Sequence, residues 1–302
     1  MNRLRAALIH LLISVLVAAG LIVLFVMVWY PGPLLSAASG DRLLRLIIGI
    51  DVIAGPVLTF IVFKSGKPGL RTDLTVIGLA QAALLGIGVW IAVVSRPAYL
   101  VFASDVFVFV PANALAPEDL AEASEPRFAN PPWTGPMWVY AQSPATREER
   151  SAQLDSALMG KALERFPKHY RDYDENAHKL ATFAASLEYL DDLDAVTEAR
   201  LQELLAGRSR DQAGFVPLVG RGSDLTTLIA REDGRVLGLL DYNPWPAMGR
   251  RWEALKAAEE AKAAAAAESE KAASGGSDPA ADPEADESPA TSQSGTEATP
   301  SI

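Results

Sequence analysis

Three apolar runs, residues 6–30, 43–63 and 74–94, follow one another at the start of this chain, and the middle one holds a lone carboxylate, Asp51, near its centre. About 20 predominantly apolar residues cross a hydrocarbon core roughly 30 Å thick, and each run reaches that length. Residues 1–96 are therefore expected to form three transmembrane helices. The first run exceeds a signal-peptide core of about 7–15 residues. Its small cluster, Ala18, Ala19 and Gly20, sits in mid-run, so it reads as a retained span.

The formal net charge is −10, but the acid is unevenly placed. Up to Arg96 the cations Arg3, Arg5, Arg42, Arg45, Lys64, Lys67, Arg71 and Arg96 outnumber Asp41, Asp51 and Asp73. The acidic excess thus belongs to the later part, which argues against nucleic acid as a partner because phosphates would repel it. Arg3 and Arg5 before the first run, and Lys64, Lys67 and Arg71 between the second and third, place the N-terminus and second loop in the cytoplasm. Three spans then carry residues from 97 onward to the periplasm of a bacterium, with Trp29, Tyr30 and Trp90 as aromatic anchors on that face. The absence of cysteine excludes disulfides, thiolate nucleophiles and Cys-type metal sites.

In the second run, Asp51, Gly55 and Thr59 recur every four residues and share one helix face. Pro56 removes a backbone donor and frees the Val52 carbonyl, so the stripe is small, polar and kinked. An ionised Asp at mid-bilayer is disfavoured by roughly 2.5–3.5 kcal/mol on insertion scales; Asp51 should be protonated, paired or in contact with water. Gln81 of the third run, or His10 and Ser14 of the first, are available for internal packing. A polar or cationic group on a client helix is the functional alternative, and a proton or ion relay the third, although one carboxylate in three helices makes no chain of sites. Gly78, Ala82 and Gly86 repeat at the spacing that permits close helix contact. The packing or client-helix face therefore comprises Asp51, Gly55, Pro56, Thr59, Gly78, Gln81, Ala82 and Gly86.

The stretches HLLISVLVAAGLIVLFVMVWYPGPL, GIDVIAGPVLTFIVFKSGK, LRTDLTVIGLAQAALLGIGVW and RPAYLVFASDVF, in that order, strongly resemble the TfpX/TfpZ family of type IV pilin accessory proteins. PWTGPMWVYAQSP, KALERFPKHYRDYD and FVPLVGRGSDLTTLIAREDGRVLGLLDYNPW are similar too. The resemblance runs over residues 5–246 and is most specific at Asp51, Gly55, Pro56, Leu58 and Thr59 and at RPAYLVF. It implies an inner-membrane protein that helps a type IV pilin, major or minor, to reach the surface as fibres alongside other pilus assembly proteins. It implies no catalytic residue.

The later part supports an independent reading. Residues 98–110, rich in Val, Phe and Tyr, read as two short strands or a bent one around Ser104-Asp105. A proline-rich loop, 111–136, follows, with a short helix at 117–123 and a strand at 137–142. Helical patterns cover 146–166 and 177–206, the second broken at Asp191-Asp192 and stopped by Gly207. Strands at 215–219, 226–230 and 236–240 follow, the last two joined by a Glu232-Asp233-Gly234 turn; Gly220-Arg221-Gly222 reads as a turn. Together these predict an α+β domain with a mainly antiparallel sheet. His169 and His178 flank Asp172, Asp174 and Glu175, but their spacing matches no standard metal-ligand pattern. No nucleophile-elbow, zinc-protease, phosphate-loop or dinucleotide motif occurs, so neither an enzyme nor a cofactor is expected.

Residues 248–302 read as an Ala- and Glu-rich helix passing into an acidic tail too poor in apolar surface to order. The sequence thus predicts a three-span region (1–96), a periplasmic α+β domain (97–247) and this tail, acting as a chaperone-like pilin helper in contact with membrane lipid. The alternative is a periplasmic sensor signalling through a partner, because the cytoplasmic side has no room for an output domain.

Overall fold

The computed structural model describes residues 2–274, and the acidic tail expected to be disordered lies outside the described residues. Helix α1 (Arg3–Val23) opens on Asn2, whose Oδ1 accepts the Arg5 N–H at 2.9 Å, and continues as a π-helical turn, Leu24–Trp29. After α2 (Leu34–Ala37), α3 (Gly40–Gly49) passes through a π-helical stretch, Ile50–Ala54, into α4 (Gly55–Val62). Pro56 has no N–H to return to Val52, and the turn before it widens accordingly. Helix α5 (Leu70–Ser95) follows. Three apolar helices result, Arg3–Trp29, Gly40–Val62 and Leu70–Ser95, each long and apolar enough to cross a membrane. Leu12, Leu16, Met27, Ile53, Ile61 and Leu79 stand exposed on them, and outward faces this apolar suggest membrane association.

The aromatic anchors differ from expectation. Trp29 is 8% exposed and Tyr30 only 1%, both packed inward with Phe25, Leu44, Ile47 and Ala92. Tyr30 donates its hydroxyl to the Ala92 carbonyl at 3.3 Å, which removes the polar tip that would otherwise seek an interface. Trp90 remains on the outside at 64% exposure.

The rest of the first compact unit, which runs to Trp252, is built on one eight-stranded sheet. Its elements are β1 (Pro97–Ala103), β2 (Val106–Pro111), α6 (Pro117–Ala121), β3 (Met137–Ala141), α7 (Arg147–Leu158) and β4 (Tyr170–Asp172), then α8 (Tyr173–Leu180), β5 (Ala185–Ser186) and α9 (Ala195–Leu205), then β6 (Ala213–Val219), β7 (Leu225–Ala230) and β8 (Val236–Leu240). Strand order is β4-β3-β1-β2-β6-β7-β8, with β5 also on β6. The sheet is mixed: β1 with β3 and β2 with β6 run parallel, the other pairs antiparallel. Both parallel pairs join strands distant in sequence, so turn signals cannot announce them.

Strand β1 is buried along its whole length, as a central strand covered on both faces must be. Alternation divides it: Leu100 and Phe102 join Phe107, Phe109, Val216 and Leu218 under α8. Tyr99 and Val101 join Phe128, Val139 and Tyr170 beneath the proline-rich loop. The Tyr99 hydroxyl donates to the Phe128 carbonyl at 3.1 Å, and burial pushes its pKa up to about 12. A third cluster, with Leu201, Leu205, Phe215, Leu228 and Leu240, lies under α9.

The helical segments are shorter than the sequence patterns predict. Helix α7 stops at Leu158, before Gly160 at φ +83°. Helix α8 begins early because Asp172 caps it, accepting the Glu175 N–H at 3.1 Å. The interval to α9 is not α-helical; it supplies β5 to the edge of β6 and then a 3-10 turn, Leu187–Tyr189. Helix α10 (Trp245–Ser274) starts in this unit and continues into the second, whose described part is helical.

Candidate functional site

A polar seam crosses the three apolar helices. Gln81 donates its Nε2 to both the Asp51 backbone carbonyl (3.3 Å) and Asp51 Oδ1 (3.1 Å). His10 Nδ1 and Thr59 Oγ1 share a hydrogen bond of 2.6 Å. Gly55 stands between these pairs. A Cβ there would fall 2.1 Å from Gln81 Nε2 and 2.9 Å from His10 Nε2, so the missing side chain is what lets both groups approach. Pro56 is buried beside it, and Ser14 is buried on the first helix.

One acceptor in the seam is left over. Gln81 is 9% exposed, and its Oε1 is buried with no hydrogen-bond partner. Such an orphan costs about 1–3 kcal/mol. A groove of about 140 Å³ adjoins it, walled by Leu46, Ile50, Leu84, Ile87, Gly88 and Ile91, with Asp51 and Gln81 as its polar lining.

The structure divides the predicted face. Asp51, Gly55, Thr59 and Gln81 come together, whereas Gly78, Ala82 and Gly86 are exposed on another side of α5, and no atom lies within 4 Å of a Cβ built on Gly78 or Gly86. The close approach on α5 is made by Gly88, whose Cβ would meet Ile47 Cγ1 at 2.6 Å. Spacing alone did not single out Gly88. Its offset of seven from Gln81, which puts both on one helix face, was the available signal.

A second constellation, unmarked in the sequence reading, joins the loop after the first apolar helix to the sheet domain. Leu34 and Ala37 are part of the same core cluster as Phe102 and Leu218. The Arg221 and Gly222 N–H groups donate to the Ala37 carbonyl at 2.7 and 2.8 Å. A Cβ on Gly222 would sit 2.4 Å from Ser39 Oγ, and one on Gly220 would sit 2.8 Å from the Ala37 carbonyl. The Gly220-Arg221-Gly222 turn is therefore a socket. Arg96 closes the junction: it donates to the Pro131, Pro132 and Val93 carbonyls and lies 4.2 Å above the Trp133 ring, a cation–π contact.

In the sheet domain, α7 buries none of its residues and leaves Leu154 and Leu158 exposed, with Met159 exposed just past its end. Beside it is a cleft of about 440 Å³ that includes Glu149, Gln153, Lys168, His169 and Arg171. Burial, then the neighbouring Lys168 and Arg171, lower the His169 pKa. Among the described residues, no three His, Asp or Glu side chains gather as metal ligands, and His178 sits on α8 apart from this cleft.

A family model for the fimbrial assembly protein FimB matches residues 1–38, which include the first apolar helix and the docked Leu34 and Ala37. A fimbrial assembly protein of Dichelobacter nodosus, serogroup E1, is 28% identical over 220 residues, 71% of this chain and 85% of that protein. Its serogroup I counterpart is 29% identical over the same length. The protein of serogroups C1 and C2 is 33% identical over 117 residues, 38% of this chain and 89% of that protein. No solved structure matches. With nine-tenths of one relative's length aligned at that identity, and the family's own pattern falling on the helix and loop that tie the apolar bundle to the sheet, the chain belongs to the fimbrial assembly protein (FimB) family.

Proposed function

We propose that this protein is an inner-membrane, chaperone-like helper of type IV pilin assembly, of the TfpX/TfpZ kind, with its N-terminus in the cytoplasm and its sheet domain in the periplasm. The observation that carries this reading is the docking of residues 34–39 on the Gly220–Gly222 socket. A loop between the first two spans and a domain after the third lie on the same face in a three-span topology, and here they pack on one another. Lys64, Lys67 and Arg71 lie at the other end, consistent with a cytoplasmic face. Membership in a family whose relatives are named fimbrial assembly proteins supports the choice of client. A pilin awaiting assembly is a membrane-held apolar helix with an exported head; a helper that joins a helix-packing bundle rigidly to an exported domain can hold both parts at once. The exposed apolar side of α7 and the cleft beside it are the domain's contribution to holding the head. The proline-rich loop is not free for that role, because Pro131 and Pro132 are engaged by Arg96.

Deleting the gene and comparing sheared surface pilin with total pilin by immunoblot, with a complemented control, tests this role. Loss of surface pilin with the total retained places the protein at assembly, and loss of both places it at subunit stabilisation. No change in either removes the pilin reading in favour of a sensor. Asp51→Leu should lower surface pilin while the variant remains inserted at normal level, read on the same blots.

A further inference from the structure

We propose that the groove between the second and third apolar helices seats a client transmembrane helix bearing one hydrogen-bond donor side chain at mid-membrane depth, which Gln81 Oε1 and the Asp51 carboxylate receive. This seat rests on the pilin-assembly reading and names what the pilin helix meets.

The polar inventory sets the sign. Both Nε2 hydrogens of Gln81 are committed to Asp51, through its backbone carbonyl and its Oδ1, so the amide orientation is determined by its partners. What remains is an acceptor, Gln81 Oε1, buried and without a donor, next to a second acceptor group in Asp51. The lining is otherwise apolar, from Leu46, Ile50, Leu84, Ile87 and Ile91. An excess of acceptors in an apolar groove selects an N–H or O–H donor carried on an apolar body.

Depth decides who can bring that donor. Asp51 and Gln81 stand near the midpoints of helices Gly40–Val62 and Leu70–Ser95. Hydrocarbon at that level holds neither water nor acyl-chain donors, whereas a transmembrane helix can present Ser, Thr, Asn, Gln or a cation there. Size agrees. A pocket for a detached small molecule needs roughly 300–1,000 Å³, while the groove's 140 Å³ admits only side chains of a helix lying alongside. Gly78, Ala82 and Gly86 are not among its lining residues and take no part in this seat.

Full-length protein with Ile87 on the groove wall replaced by the photo-reactive residue p-benzoyl-phenylalanine is irradiated in pilin-producing cells, and adducts are read with anti-pilin antibody. Leu79, exposed elsewhere on the same helix and absent from the groove lining, carries the probe as control. A pilin adduct from Ile87 and none from Leu79 is expected. Gln81→Leu should lower the Ile87 adduct about fivefold, the equivalent of one net hydrogen bond. Gln81→Asn, which keeps an amide with both donor and acceptor, should retain more of it at equal protein level. Equal adducts from both probe positions, or an equal fall in Gln81→Leu and Gln81→Asn, overturns the seat. Should Gln81→Leu fail to accumulate, the length-matched Gln81→Met takes its place in the same comparison. The deletion strain separates the two ideas: lost surface pilin with no Ile87 adduct rejects the groove alone, and unchanged surface pilin on deletion rejects the role itself.

Discussion

The apolar bundle is built differently at two levels. Near the sheet domain it is filled with large side chains: Phe25, Trp29 and Tyr30 pack with Leu44, Ile47 and Ala92, and Gly88 admits Ile47. At its middle it is small and polar, with Gly55 between two hydrogen-bonded pairs and one acceptor unsatisfied. Large interlocking groups give rigidity. A half-satisfied polar group works against stability, and a sequence keeps such a group where function uses it. The difference teaches that the domain-proximal level fixes the bundle to the domain, which leaves the middle level free to carry a strained site.

Five substitutions probe that division. Leu34→Ala removes a side chain that the loop after the first apolar helix lends to the domain core. It should cost about 2–5 kcal/mol, read as the loss in denaturant midpoint of the detergent-solubilised protein by tryptophan fluorescence. A small, local effect would break the claim that loop and domain are one body. Gly55→Ala, which forces a Cβ against Gln81 and His10, should cost about 1–3 kcal/mol and lower surface pilin. If melting temperature and surface pilin both remain at wild-type values, the middle level is looser than described.

Asp172→Ala, in the sheet domain away from both levels, should cost about 1 kcal/mol through loss of the α8 cap. The Glu175 N–H, above all, and Arg127 hold the Asp172 carboxyl below its ordinary value of 3.8. Its stabilisation is therefore present above that value and fades as the pH falls through the lower folded pKa, so thermal melts of variant and parent should converge at acid pH. Gly78→Ala and Gly86→Ala, with open space around the added carbon, should change stability by less than about 0.5 kcal/mol. A large drop in surface pilin from either, at unchanged melting temperature, would move the client to that face and sharpen the comparison in an unexpected direction.

Much of this architecture was legible along the chain. Runs of apolar residues marked the three helices within a few positions, and residues 98–110, broken at Ser104-Asp105, read as two strands or a bent one where the structure has β1 and β2. Glu232-Asp233-Gly234 marked the β7–β8 hairpin, where Gly234 adopts φ +74°. What stayed hidden shares one cause: contacts between residues far apart leave no local period. The β1–β3 and β2–β6 pairs, the socket for Ala37 and the inward side of α5 are all of this kind. Four-residue spacing brought out Gly78, Ala82 and Gly86 as readily as Asp51, Gly55 and Thr59, because period reports that residues share a face and not which way the face turns.

The docked loop also orders events in time. Leu34 and Ala37 leave the ribosome well before Phe102, and far ahead of Leu218, yet all four complete one core. Closing that core has to wait for the later strands, the slow non-local step of a fold with long sequence separations. Until then Leu34 and Ala37 are without the strands they pack on, so the segment after the first apolar helix and the sheet reach their final form together.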